Sequence, residues 1–173
     1  EYGYALSLHA EHQTEEALRL TQQGLSKNPF DTRLLLLASQ LSYELHDEQK
    51  AEDYLLKAKD NAEDLEEIAL RLSNLYLEQE RFDEVLKFEE QDIDNVLTKW
   101  NIARAYQALE QTTAALERYR LLLSDLKENP EFLEQYIYLL REMGDFEEAK
   151  HQAEYYLHLV PDDMEMQELY DSL

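Results

Sequence analysis

The 173-residue sequence contains no cysteine, only three glycines and three prolines, and sets 16 lysines and arginines against 39 aspartates and glutamates. Without cysteine there is no disulfide framework, no thiolate metal site and no cysteine nucleophile. Such a chain fits a reducing compartment, and a cytoplasmic location is expected. So few turn residues argue against a β-sandwich or a βαβ sheet, both of which consume glycine and proline at every connection. The longest purely apolar run is Leu34–Ala38, far short of the roughly 20 residues of a membrane span, and no signal-peptide pattern is visible. The net charge of −23 argues against nucleic acid, which requires clustered Lys and Arg, and against anionic membrane surfaces. It favours partners that are basic or largely uncharged.

What is present is periodic. With 44% apolar and 32% charged residues, the chain is not a disordered one, and its length suits one domain or a short repeat array. Ala17, Ala51, Val85, Ala115 and Ala149 stand in similar frames, 34 residues apart except for a 30-residue step from 85 to 115. Ahead of most of them runs an apolar stretch with helical spacing, as in Leu72-Ser73-x-x-Tyr76, Ile102-Ala103-x-x-Tyr106 and Tyr136-Ile137-x-x-Leu140. A short polar turn follows, clearest at Met143-Gly144-Asp145, and then a second amphipathic stretch with acids in its first turn, as the positive helix N-terminus favours. Asn28-Pro29 and Val160-Pro161 close two of these units; Asn129-Pro130 breaks the chain later than that rhythm predicts.

A helix–turn–helix unit of 34 residues resembles the tetratricopeptide repeat (TPR) superfamily. In its frame the small position falls on Ala5, Ser39, Ser73, Ala103 and Ile137, and the large position on Leu8, Ser42, Tyr76, Tyr106 and Leu140. Ser42 is not large, and a one-residue shift to Ala38 and Leu41, with a longer turn at His46-Asp47, fits that unit better. The resemblance implies an all-α, right-handed superhelical solenoid of about five helix pairs in a single array over 1–173, with units at about 1–31, 32–65, 66–95, 96–129 and 130–161. One helix pair cannot bury its apolar face alone, so stacked neighbours must share a core. The segment 162–173 then reads as a capping helix, with Met166, Leu169, Tyr170 and Leu173 on one face. The array begins within a helix and so resembles the C-terminal part of a longer acidic bacterial TPR protein. Its third unit lacks about one helical turn, so a short second helix near 83–91 and a local change of curvature are expected.

The resemblance further implies that the first helix of each pair lines a concave groove. That places Arg33, Leu36, Gln40, Tyr43, Asn74, Trp100, Arg104, Tyr138 and Arg141 there, with Leu6 and His9 at the N-terminal end. The first helices carry five bases against seven acids, and the rest of the chain eleven against thirty-two. The segment from Val96 to Leu109 has no acid and holds the only tryptophan. Trp100 and Arg104, four residues apart, share a helical face and are of the types that dominate interfaces, although Trp100 could equally pack between repeats. The expected ligand is a peptide or protein segment, apolar with a carboxylate, contacting Trp100, Arg104, Asn74, Tyr43, Tyr138, Arg141 and Arg33. The carboxylate clamp of chaperone-binding TPR domains is matched only at Asn74 and Arg104; Leu36, Gln40 and Trp100 depart from it, so chaperone-tail binding is not expected.

No motif points to catalysis, a cofactor or a metal. No Gly-rich phosphate loop, HExxH or GxSxG occurs. His9 and His12 form a pair without a third ligand, and neighbouring carboxylates such as Glu89-Glu90 are simply the commonest surface group. The sequence therefore reads as a non-catalytic binding scaffold. Two alternatives stand beside it: an array that docks to its own preceding repeats or self-associates through the apolar half-helix Tyr2, Tyr4, Leu6 and Leu8, and a regulatory array attached to a catalytic domain elsewhere.

Overall fold

A computed structural model describes residues 13–91 and 93–173. Among these residues run ten α-helices and no strand: α1 (Thr14–Lys27), α2 (Thr32–Glu44), α3 (Glu48–Lys59), α4 (Glu66–Glu78), α5 (Phe82–Leu86) prolonged by a 3-10 turn (Lys87–Glu90), α6 (Val96–Ala108), α7 (Thr112–Leu126), α8 (Pro130–Glu142), α9 (Phe146–Leu159) and α10 (Met164–Ser172). The chain is an all-α solenoid in which each helix packs on the one before it.

The pairs α2–α3, α4–α5, α6–α7 and α8–α9 share one three-residue turn. Its middle residue is left-handed: His46 (φ 60°), Glu80 (57°), Glu110 (58°) and Gly144 (77°). The next N–H reaches a carbonyl five residues back, in Asp47→Ser42, Arg81→Tyr76, Gln111→Tyr106 and Asp145→Leu140, at 2.8–2.9 Å. This is the Schellman closure, which satisfies carbonyls that the helix end leaves open. The turn at His46 is thus no longer than the others, and the expected one-residue shift in the second unit does not occur. Ser39 and Ser42 keep the frame positions and are buried. Ala38 and Leu41 are buried as well because α2 is covered on two sides: Leu37 and Leu41 pack with Ala17 and Leu20 of α1, while Leu35 packs with Leu55 and Ile68.

First helices begin after an Asx cap, whose side chain accepts an otherwise orphaned N–H. Asp31 accepts from Arg33 and Leu34 (3.0 and 3.2 Å), Asn95 from Thr98 (3.0 Å), Asn129 from Phe132 (3.2 Å) and Asp163 from Met166 (3.0 Å). Leu65 stands at that position before α4, and Asp64 takes the Glu66 N–H instead (2.9 Å). Pro130 does not break the fourth pair late; it is the first residue of α8, where a missing N–H costs nothing and the ring presets φ.

The anchors Ala17, Ala51, Val85, Ala115 and Ala149 are all buried. The core is strung along the array rather than gathered at a centre. One cluster runs from Leu35 to Ala105 and a second from Trp100 to Leu169, so α6 is buried from both sides, with Ile102 and Ala105 in one and Trp100 and Ala103 in the other. An acid there would have to be desolvated, which explains the acid-free sequence of that helix. α10 packs on α9 and adds Met166 and Leu169 to the second cluster.

Candidate functional site

The helices α2, α4, α6 and α8 carry the residues expected in the groove, and polar side chains between them decide how those residues sit. Buried Asn101 on α6 donates from Nδ2 to Ser73 Oγ (2.9 Å) and to Asn74 Oδ1 (2.6 Å) on α4. Asn74 is held in one orientation, and its own Nδ2 has no hydrogen-bond partner among the described residues. The Tyr43 hydroxyl donates to Glu78 Oε2 at 2.5 Å and bridges α2 to α4. The Glu78 carboxylate, by accepting that hydrogen bond, raises the Tyr43 pKa above its ordinary value. Arg71 braces the same two helices, donating to Glu67 Oε1 (2.6 Å) and to the Leu36 carbonyl (3.3 Å).

Two recesses lie along these bridges. The first, about 270 Å³, is floored by the buried Ser39, Ala51, Leu55 and Leu75 and rimmed by Gln40, Tyr43, Arg71, Asn74 and Glu78. The second, about 330 Å³, is lined by Asn74, Leu77, Glu78, Phe82, Arg104 and Ala108. Asn74 and Glu78 belong to both, so the recesses form one groove across α2, α4 and α6. Its chemistry is an apolar floor with donors and one carboxylate at the rim.

Arg104 stands out electrostatically. Six of the eight arginines face a carboxylate: Arg19, Arg33, Arg71, Arg81, Arg118 and Arg120. Arg104 and Arg141 have no carboxylate partner among the described residues. The Arg104 guanidinium instead lies 5.6 Å from the centroid of the Trp100 ring, a cation–π arrangement. Of the two roles open to Trp100, the structure shows the packing one. It is 7% exposed, its ring meets Phe132 edge-on at 5.8 Å, and its Nε1 donates to Gln135 Oε1 at 3.1 Å.

The structure therefore brings together three of the residues expected from the sequence: Tyr43, Asn74 and Arg104. Arg33 lies at the start of α2, 4.0 Å from Asp31, and the Tyr138 hydroxyl donates to Glu165 of α10 at 3.2 Å. Neither they nor the exposed Arg141 line these recesses. Arg71 and Glu78 were missed, although they sit three before and four after Asn74, on its helical face. Leu6, His9, His12 and the half-helix Tyr2, Tyr4 and Leu8 lie outside the described residues. Among the described residues no three His, Asp or Glu side chains converge as metal ligands, and no helix is long and apolar enough to cross a membrane.

Residues 97–163 match the family model for YpiA-like, C-terminal tetratricopeptide repeats. No curated protein is significantly similar in sequence. Among solved structures, the chain is similar to YrrB, a TPR protein with an unusual peptide-binding site, at 12% identity and a TM-score of 0.77, with 98% of this chain and 90% of that one covered. MamA of Desulfovibrio magneticus RS-1 is similar at 15% identity and a TM-score of 0.81, with 94% of each chain covered. PilF of Pseudomonas aeruginosa is similar at 15% identity and 0.77, with 91% of this chain and 74% of that one covered. At these identities the likeness is one of fold. The family match assigns tetratricopeptide repeats to residues 97–163, and the Schellman turns that recur through the helix pairs carry the same fold along the described array.

Proposed function

We propose that this chain is a non-catalytic, cytoplasmic scaffold, one array with its units divided as the sequence suggests, which holds a peptide or protein segment in the groove across α2, α4 and α6. The observation that carries this reading is Arg104: a guanidinium that meets no carboxylate among the described residues, in a chain with more than twice as many acids as bases, on the wall of a groove whose floor is apolar. A ligand carboxylate would complete it through a charge-assisted hydrogen bond. Asn74, held by Asn101, offers an amide donor beside it, and the recess over Ala51, Leu55 and Leu75 would take one apolar side chain. Tyr43, Arg71 and Glu78 set the rim. Trp100 acts from beneath, fixing the face over which Arg104 lies, while Arg33, Tyr138 and Arg141 would touch only a ligand long enough to leave the two recesses. Similarity to YrrB, whose description includes a peptide-binding site, supports a peptide ligand by fold analogy.

The test is a display selection from random-sequence peptides, with binders measured by fluorescence anisotropy. Selected peptides are expected to pair an apolar residue with a nearby carboxylate. Arg104→Ala is expected to weaken them about tenfold, since buried charged anchors carry a large share of binding energy, and Arg141→Ala to leave them unchanged. Binders indifferent to both Arg104→Ala and Asn74→Ala would sink the groove reading.

A further inference from the structure

The shortened third pair leaves a second surface, distinct from the groove. Its second helix comprises α5 and the 3-10 turn, ending at Glu90, whereas α7 in the next pair has 15 residues and α1, α3 and α9 have 12 to 14. α7 therefore runs on past the end of its neighbour. The space left is a cleft of about 820 Å³ between the 3-10 turn, the segment around Ile93, α6 and α7. Its apolar lining is Phe88, Ile93, Ile102 and Leu122, all buried, and Leu121, which at 78% exposure is the most exposed large apolar side chain among the described residues. A helix about 10 Å across fills roughly 420 Å³ per 5.4 Å turn, so the cleft has room for about two turns.

We propose that this cleft receives a short basic amphipathic helix of a partner protein, which restores the helical layer that the third pair lacks. Its charge carries the choice of partner. Glu66, Glu89 and Asp94 line it, and the two bases among the lining residues are already held, Lys99 by Asp94 (2.6 Å) and Arg118 by Glu89 (2.5 Å). Asp83 and Glu90 add exposed carboxylates on the same short segment. With Glu89 and Asp94 each matched to one base, Glu66 is left over in the lining and Glu90 stands beside it, so an acidic helix would meet repulsion here and a cationic one a net negative cleft. Leu121 supplies the exposed apolar contact that such a helix covers, above the buried Leu122.

The probe is a fluorescein-labelled Leu/Lys amphipathic peptide of about 14 residues, long enough to form a helix on binding, beside its Leu/Glu counterpart, read by anisotropy. The Leu/Lys peptide is expected to bind and the Leu/Glu peptide not. Leu121→Asp is decisive, because a docked helix and diffuse charge attraction predict opposite signs. Docking predicts about tenfold weaker binding from the lost apolar contact, although the protein has become more acidic; attraction by net charge alone predicts equal or tighter binding. Leu121→Ala is expected to weaken binding less, and Arg104→Ala, in the groove, to leave it unchanged. Three results would overturn the proposal: no binding of the Leu/Lys peptide, undiminished binding to Leu121→Asp, or a concentration-dependent dimer in sedimentation that Leu121→Asp dissolves, which would assign the cleft to a second copy of this chain.

Discussion

Arg81→Ala should be the most damaging single polar substitution in the first half of the array. Arg81 closes the turn between α4 and α5 and reaches back to the second helix of the preceding pair. Its guanidinium is bidentate on Glu52, Nη1 to Oε2 at 2.7 Å and Nη2 to Oε1 at 3.0 Å, and it lies 4.4 Å over the Tyr76 ring. Tyr76 donates its hydroxyl to the same carboxylate at 3.1 Å. The Glu52 side chain is 9% exposed and that of Arg81 39%. Removing one partner of a fully buried pair costs roughly 3–5 kcal/mol. Water reaches Arg81, so screening reduces this to about 2 kcal/mol, or a fall of roughly 4–8 °C in Tm for a chain of this size. Because repeat arrays couple mainly through nearest neighbours, far-UV circular dichroism should begin to fall before the fluorescence of Trp100, which belongs to the C-terminal cluster. Hydrogen bonding from Arg81, ahead of that from Tyr76, lowers the Glu52 pKa from its ordinary value despite its burial. A lowered folded-state pKa gives stability that is present above the unfolded value and lost as pH falls through the folded one. The parent should therefore lose this increment on the acid side of the ordinary glutamate range, and Arg81→Ala should show a flatter profile there. A cost under about 0.5 kcal/mol, within the range of inert surface changes, or additivity with Glu52→Gln in a double-mutant cycle, would refute the reasoning.

Four further outcomes follow from single positions. Ser42→Ala should leave stability unchanged or raise it by up to about 1 kcal/mol in urea melts, because Ser42 Oγ is buried without a hydrogen-bond partner among the described residues. Ser73→Ala, which removes one of the two acceptors of Asn101 Nδ2, should lower it by about 1 kcal/mol. Glu110→Gly should stabilise by up to about 1 kcal/mol, since Glu110 holds φ 58° where the fourth pair uses Gly144; a loss on calorimetry would contradict this. Tyr119→Phe removes a buried hydroxyl that lies 2.9 Å from Gln135 Oε1 and 3.1 Å from Gln107 Oε1 and donates its one proton between them, costing about 1–2 kcal/mol and shifting Trp100 emission through the shared Gln135. Burial pushes the Tyr119 pKa up to about 12, so the parent should show no phenolate absorbance from this residue until well above the ordinary tyrosine range.

Much of the fold was legible in the sequence because helix, turn and cap are made between residues within five of one another. The spacing of Ala17, Ala51, Val85, Ala115 and Ala149 places a helix at each, and the 30-residue step exposes the short second helix at Phe82–Glu90. The structure adds the Asx caps at Asp31, Asn95, Asn129 and Asp163, and these make Pro130 a helix start where its position in the sequence suggested a break. Local spacing could not say which face of α6 meets which neighbour. The same acid-free run fits a ligand surface or a helix buried from two sides, and Trp100 was ambiguous for that reason.

The sequence by itself determined that this chain is a row of stacked helix pairs, since the period is carried by every unit. The tertiary structure alone decided the pairings between units: Tyr43 with Glu78, Glu52 with Arg81, Asn101 with Asn74 and Trp100 with Gln135, each 27 to 35 residues apart. Those pairings depend on how one pair is set against the next, which no helical period encodes. They decide whether an arginine is neutralised or left facing the groove, and so they carry the proposed site.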